Sequence, residues 1–189
     1  AYSIPALNYA WLLTLLPLGI FGVAISSAVF PTLAEKAAQD GGQSLGQTVY
    51  ATLRMISFLT IPSSLGLILL GQPLVTLLFQ RGLFNEESAQ ATYWALSFYS
   101  LGLFGHGAVE ILARAFYAVQ DTRTPVAISV GTMLFGIALS LALMGPLGHG
   151  GLALGPSVAV IIEAAILMRV MRGRLPGQST GLWPSLART

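Results

Sequence analysis

The chain has 189 residues, of which 54% are hydrophobic and only 8% charged, with a formal net charge of +2 and no cysteine. Soluble domains carry roughly 25% charged residues, so this composition excludes a water-soluble globule and indicates a membrane protein. The lack of cysteine excludes disulfides and thiolate metal sites within these residues, and no Walker A, G-x-S-x-G or H-E-x-x-H sequence supports a P-loop or hydrolase reading.

Uncharged runs cover residues 1–34, 55–80, 88–109 and 124–162. A helix needs about 20 mostly apolar residues to cross the hydrocarbon layer. The first three runs each suit one crossing, and "MGPLGHGG" (144–151) divides the fourth into two. The reading is an all-α, polytopic transmembrane helix bundle. It forms a single membrane unit over residues 1–189, with five spans at about 7–33, 50–70, 90–117, 124–145 and 151–171. The chain opens at Ala1 inside apolar sequence, with no signal peptide ahead of it, and is expected to be an interior piece of a longer protein.

In span one, "LPLGIFGVAISSAVFP" places Pro17 mid-helix beside Gly19 and Gly22, which predicts a bend. Gly and Pro are also ordinary residents of membrane helices, so the bend alone assigns no activity. The segment "QDGGQSLGQ" (39–47) reads as a plain loop. After span two, Pro73 and the leucines 74, 77 and 78 suggest a short helix at about 73–83, lying along the outer interface. Asn85, with Glu86 and Glu87 behind it, is a cap for the start of span three. The turn motif Asp121, Thr122, Arg123, Thr124, Pro125 plays the same part for span four, with Thr or Asp as the cap.

The loops sort by charge. Lys36, Arg54, Arg114, Arg123, Arg169, Arg172, Arg174 and Arg188 fall on one side, and only Arg81 on the other. The positive-inside rule makes the first side cytoplasmic, so the loops after spans 1, 3 and 5 face the cytoplasm.

Three spans carry small or polar residues at helical spacing. They are Gly102, His106, Glu110 and Arg114 in span three; Ser129, Thr132, Gly136 and Ser140 in span four; and Gly151, Gly155, Ala159 and Glu163 in span five. Such stripes let helices approach closely in lipid. The two acids need more explanation. A charge at the bilayer centre costs about 2.5–3.5 kcal/mol on insertion scales, whereas one Leu returns about 0.3–0.6 kcal/mol. Glu110 is placed near mid-depth and Glu163 nearer the cytoplasmic surface. Glu110 reads either as an ion pair with Arg114, or a carboxyl kept neutral, or as part of a polar pathway. Glu163 has the same alternatives. His106, one turn from Glu110, is a hydrogen-bonded interior histidine or a member of a proton relay; two ligands without a third make no metal site. No metal, cofactor or nucleic acid is expected.

Four stretches, "LPLGIFGVAISSAVFPTLAE", "PLVTLLFQRGLF", "ARAFYAVQDTRTPV" and "GPLGHGGLALG", occur in an order and spacing that resemble the bacterial lipid II flippase family (MurJ/MviN-like). That family belongs to the multidrug/oligosaccharidyl-lipid/polysaccharide transporter superfamily. The resemblance covers nearly the whole chain. It implies two six-helix lobes within about fourteen spans, these five being spans eight to twelve and most of the second lobe. It also implies translocation of the undecaprenyl-linked peptidoglycan precursor across the bacterial cytoplasmic (inner) membrane by alternating access. The partners would be that precursor, membrane lipids and the remaining spans of the same chain.

Two departures accompany the resemblance. Many members carry an Asp-Arg pair where "YAWLLTLLP" holds Trp11 and Leu12, and the family's sodium site corresponds to Gly136, Ser140 and Pro156, which are poor ligands. Glu110 falls where some relatives have Lys. On this reading Glu110, Arg114, His106 and Glu163 are candidates for a substrate pathway or gate. The alternatives are export of another polyprenyl-linked glycan or of small cations, or a non-transporting scaffold for cell-wall synthesis.

Overall fold

A computed structural model of the chain describes residues 3–39, 43–79 and 84–174. Among them every element is helical: α1 (Ser3–Pro17), a π segment (Leu18–Val23), α2 (Ala24–Ala38), α3 (Gln43–Phe79), α4 (Glu86–Leu101), α5 (Leu103–Ala118), α6 (Arg123–Leu147) and α7 (His149–Arg174). Four helices are long and apolar enough to cross a membrane: Pro5–Ala38, Ser44–Phe79, Arg123–Gly145 and Gly150–Gly173. The pair α4–α5, bent by 43°, makes a fifth. With no water in the hydrocarbon layer, each backbone donor and acceptor must pair within the protein, and helices accomplish that locally.

The expected bend in span one takes the form of a wider helical turn. Pro17 has no N–H to give Leu13, and from Leu18 the ladder shifts to i→i+5, so that Ala24 N–H reaches Gly19 O. The break in span three lies at Gly102. A Cβ there would stand 2.9 Å from Ser157 Cα, so the backbone of α7 passes directly against the bend. Ser64 Oγ of α3 donates to Ser100 O at 2.6 Å, holding a carbonyl beside the break.

Large side chains gather into two clusters at opposite ends of the bundle. Leu33, Leu53, Ile56, Leu112, Phe116 and Leu167 join α2, α3, α5 and α7 at one end. Ala10, Leu13, Val75, Leu96 and Ala153 join α1, α3, α4 and α7 at the other. Between them runs a layer of small residues in which backbones nearly touch. A Cβ on Gly22 would lie 3.6 Å from Gly107 Cα, and one on Gly107 would lie 2.9 Å from Ile56 Cγ2. Hydroxyls at these depths, such as Thr14, Thr60 and Ser157, bond back to carbonyls four residues earlier.

Span two differs from expectation. Rather than starting a separate interfacial helix, residues 73–79 continue α3 through both Pro62 and Pro73; residues 80–83 lie outside the described residues. A proline interrupts a helix by leaving a carbonyl without its donor. Pro73 removes the donor of the Leu69 carbonyl; at the neighbouring position Tyr93 OH donates to Ile68 O at 3.0 Å and ties α3 to α4 about one turn before the proline. From Ser44 to Phe79 the helix is about 54 Å long at 1.5 Å per residue, well beyond a hydrocarbon layer of about 30 Å. Its ends therefore project past the lipid or the helix tilts.

The strongest pairing joins α6 and α7, which turn back on each other at Gly148, held at φ 57° and ψ −132°. A Cβ on Gly155 would collide with Ser140 Oγ and come within 2.8 Å of Gly136 O. Gly155→Ala is therefore expected to lower stability by about 1–3 kcal/mol. Gly131→Ala, which meets nothing within 4 Å inside α6, should not lower stability and gains from the better helix propensity of Ala. Thermal unfolding in detergent, comparing the two variants, checks this.

Candidate functional site

The turn at Gly148 sets α6 and α7 in antiparallel register, so residues equally far from it face each other. The small-residue stripe of α6 thereby meets that of α7. Gly151 abuts Leu143, Gly155 abuts Ser140, and a Cβ on Gly136 would stand 2.9 Å from Ala159 Cβ. The same register carries Glu163 to Ser129 and Thr132. Ser129 Oγ donates a short hydrogen bond to Glu163 Oε1, and Thr132 Oγ1 lies 3.1 Å from Glu163 Oε2. Both carboxylate oxygens of an acid within the membrane are thus held by hydroxyls of the neighbouring helix. Hydrogen bonds to an ionised acid belong to the stronger class.

Beside this seam lies a cavity of about 460 Å³. His106 and Val109 of α5 form one wall; Ser129, Thr132, Gly136 and Ser140 of α6 form another; Pro156, Ala159 and Glu163 of α7 form the third. Two of the four candidate pathway residues, His106 and Glu163, therefore line one space. Behind the cavity wall, Trp11 of α1 packs edge-on to His106 at 5.4 Å and to Tyr99 at 5.5 Å between ring centroids.

Glu110 and Arg114 do not line this cavity. They lie along α5 from His106 on its open side, with Arg114 Nη2 3.7 Å from Glu110 Oε2. At that separation the contact is an ion pair without a good hydrogen bond. The Glu110 side chain is 41% exposed and that of Arg114 26%, so the pair sits on a surface these five spans leave uncovered. Arg114 Nε is buried, with no hydrogen-bond partner among the described residues. Among the described residues no three His, Cys, Asp or Glu side chains converge as a metal site.

Residues 1–188 match the family model described as "Lipid II flippase MurJ". The chain belongs to this family. It is 34% identical over 167 residues to a "Probable lipid II flippase MurJ" of Vibrio cholerae, covering 88% of the chain and 32% of that relative. It is 30% identical over 168 residues to the "Lipid II flippase MurJ" of Burkholderia cenocepacia, covering 89% and 33%. A solved structure titled "Lipid II flippase MurJ, inward closed conformation" superposes with a TM-score of 0.82 at 29% identity, over 90% of this chain and 36% of that one. The chain thus spans about a third of the length of the relatives it matches.

Within this MurJ-like piece the two departures noted in the sequence have definite settings. Trp11 is half-buried in the aromatic contact with His106 and Tyr99, while Leu12 is 53% exposed on the free side of α1. Gly136, Ser140 and Pro156 do line the cavity, but its carboxylate is Glu163, farther along α7. The sequence reading named Glu163, Ser129 and Thr132 separately and did not join them. It also missed the tie between Arg172 Nε and Tyr50 OH at 2.8 Å, which links the end of α7 to the start of α3.

The caps match expectation and add a detail. Asn85 Oδ1 accepts from Ser88 N–H at 3.0 Å and starts α4. Asp121 serves two helices. Its N–H donates to Phe116 O while Gln120 N–H donates to Tyr117 O, closing α5 in a Schellman motif, and its Oδ1 accepts from Thr124 N–H at 3.0 Å to open α6. Thr122 and Arg123 complete the turn, and Pro125 occupies the first turn of α6, where its missing N–H leaves no ladder bond broken. Gln120 sits at φ 61°, a left-handed setting that favours glycine. Gln120→Gly should accordingly raise stability by about 1 kcal/mol, and Asp121→Ala should lower it by about the same amount. Opposite shifts in melting temperature are the check.

Proposed function

We propose that the protein to which this chain belongs moves lipid II, the undecaprenyl-linked peptidoglycan precursor, across the bacterial cytoplasmic membrane by alternating access. The single observation that carries the reading is the match of residues 1–188 to the lipid II flippase model. The five spans form most of one lobe. The remaining spans of the same polypeptide close the open side of α5, and the large headgroup passes between the lobes while its prenyl tail stays in lipid.

The loops after spans 1, 3 and 5 face the cytoplasm. Lys36 at the end of α2, Arg123 at the start of α6 and Arg169 and Arg172 near the end of α7 support that orientation. In this frame Glu110 and Arg114 belong to the cytoplasmic half of the pathway. Their ion pair is long, and Arg114 Nε has no hydrogen-bond partner among the described residues. An anionic diphosphate headgroup would compete with Glu110 for Arg114, because Arg matches phosphate oxygens in paired geometry. The pair acts as a gate contact that is made without cargo and exchanged when cargo enters.

The test is complementation in bacteria depleted of their own lipid II flippase, with lipid II at the outer surface measured alongside growth. Rescue with restored exposure is expected. A well-inserted protein that restores neither would overturn the reading and favour another polyprenyl-linked glycan as cargo, or a scaffold. For the gate, Glu110→Gln and Arg114→Gln are each expected to reduce surface exposure of lipid II several-fold. Their coupling in fold stability should reach only about 0.5 kcal/mol, as for other helix-surface and intramembrane polar pairs. Unchanged exposure in both variants would remove the pair from the mechanism.

A further inference from the structure

Thr132 Oγ1 has one hydrogen and three acceptors within reach: Ile128 O at 3.0 Å, Ser129 O at 3.1 Å and Glu163 Oε2 at 3.1 Å. A hydroxyl confined to the carboxylate would brace α6 against α7 in one arrangement only. Here the hydroxyl can point at the acid or turn back to its own helix, and in either case its donor is satisfied.

That choice matters because of what Glu163 needs in its two charge states. Ionised, the carboxylate only accepts, and Ser129 and Thr132 both donate to it. Protonated, one of its oxygens becomes a donor. Ser129 Oγ can then accept that proton's hydrogen bond through a lone pair and turn its own hydrogen to water in the cavity it lines, while Thr132 turns its hydrogen to Ile128 O or Ser129 O. Neither state leaves a polar group stranded, which is the condition for a buried acid to change charge at small cost. The cavity supplies the route. Its volume of about 460 Å³ gives water room, and although Met133, Ile137, Leu141 and Leu152 make much of the lining apolar, Glu163, Ser129, Thr132 and His106 supply the polar partners that water needs.

From this geometry we infer that Glu163, with Ser129 and Thr132, is a reversible proton-binding site between α6 and α7, served by cavity water. On loading, an O–H bond forms at Glu163 and the donating hydronium becomes water; unloading reverses it. The inference is independent of which cargo the protein carries. The titratable and charged groups on helices packed against α7 are His106, Glu110, Arg114 and Tyr117 on α5, Arg123 at the start of α6, Glu86, Glu87, Tyr93 and Tyr99 on α4, and Tyr9 on α1; Arg169 and Arg172 follow on α7 itself. Of these, His106 alone shares the cavity with Glu163.

Infrared difference spectroscopy of the intact protein in lipid, titrated with acid and base over the range in which its fold survives, tests the site. A carboxyl C=O band is expected to grow with acid in the wild type and to be missing from Glu163→Gln, whose melting temperature confirms the fold. Thr132→Val removes the donor that only the ionised form uses. At a pH where the wild type shows half of the band, that variant should show nearly all of it, and Thr132→Ser should restore wild-type behaviour. If Glu163→Gln fails to fold, the two Thr132 variants carry the test alone. A titration identical in wild type and Glu163→Gln, no titrating band at all, or a Thr132→Val titration that coincides with wild type would each overturn the inference and leave Glu163 a fixed brace.

Discussion

The close approach of α6 and α7 organises everything at the candidate site. In lipid, apolar burial gives helices no reason to prefer one another over the acyl chains, so association rests on van der Waals fit and on polar contacts. Gly155 against Ser140 and Gly136 against Ala159 supply the fit. Two hydroxyls on Glu163 supply the polar contact one to two turns farther on. Were the glycine seam any wider, the hydroxyls of Ser129 and Thr132 would fall short of Glu163, and an acid within a membrane helix would lose both partners. Packing and electrostatics are therefore one constraint here. The tight turn at Gly148 sets the register that aligns them.

The rest of the bundle is rigid at its ends and thin at its middle. Bulky clusters around Phe116 and around Leu96 hold the helices at either end, while glycines and hydroxyl residues fill the layer between. Both the π segment after Pro17 and the bend at Gly102 fall in that layer, and Gly22 of the π segment approaches Gly107 of α5 just beyond the bend. An arrangement of this kind concentrates any change of helix direction at one depth.

Much of this is legible in the residues. Uncharged runs of suitable length gave the spans, Pro17 gave the irregularity in span one, and the three small-residue stripes marked the faces that meet. The pairing of two of those stripes could also have been read. Thr132 and Glu163 lie at nearly equal distances on either side of Gly148, so an antiparallel pair joined there must bring them together. Other features were out of reach of pattern. Pro73 normally marks a helix start, yet α3 runs through it, and the bond from Tyr93 OH to Ile68 O, twenty-five residues away in sequence, ties that stretch to α4. The bend at Gly102 depends on the passage of Ser157, and the contact of Trp11 with His106 depends on how α1 crosses α5. These are tertiary facts, and no local spacing encodes them.

The central claim is that α6 and α7 meet through their small-residue faces in this register, placing Glu163 between Ser129 and Thr132. These 189 residues contain no cysteine, so a pair introduced at Gly136 and Ala159, in native membranes and with any cysteine elsewhere in the protein replaced, reports on it. The intended Cβ positions lie 2.9 Å apart, so a slight outward relaxation brings them to the spacing of about 3.8 Å that a disulfide needs. The account predicts rapid, near-complete cross-linking of Gly136→Cys with Ala159→Cys under mild oxidation, and none between cysteines at Leu134 and Ile161 on the lipid-exposed faces. Efficient cross-linking of the second pair with none of the first would mean that the helices meet through other faces, and the account of the site would fall with it.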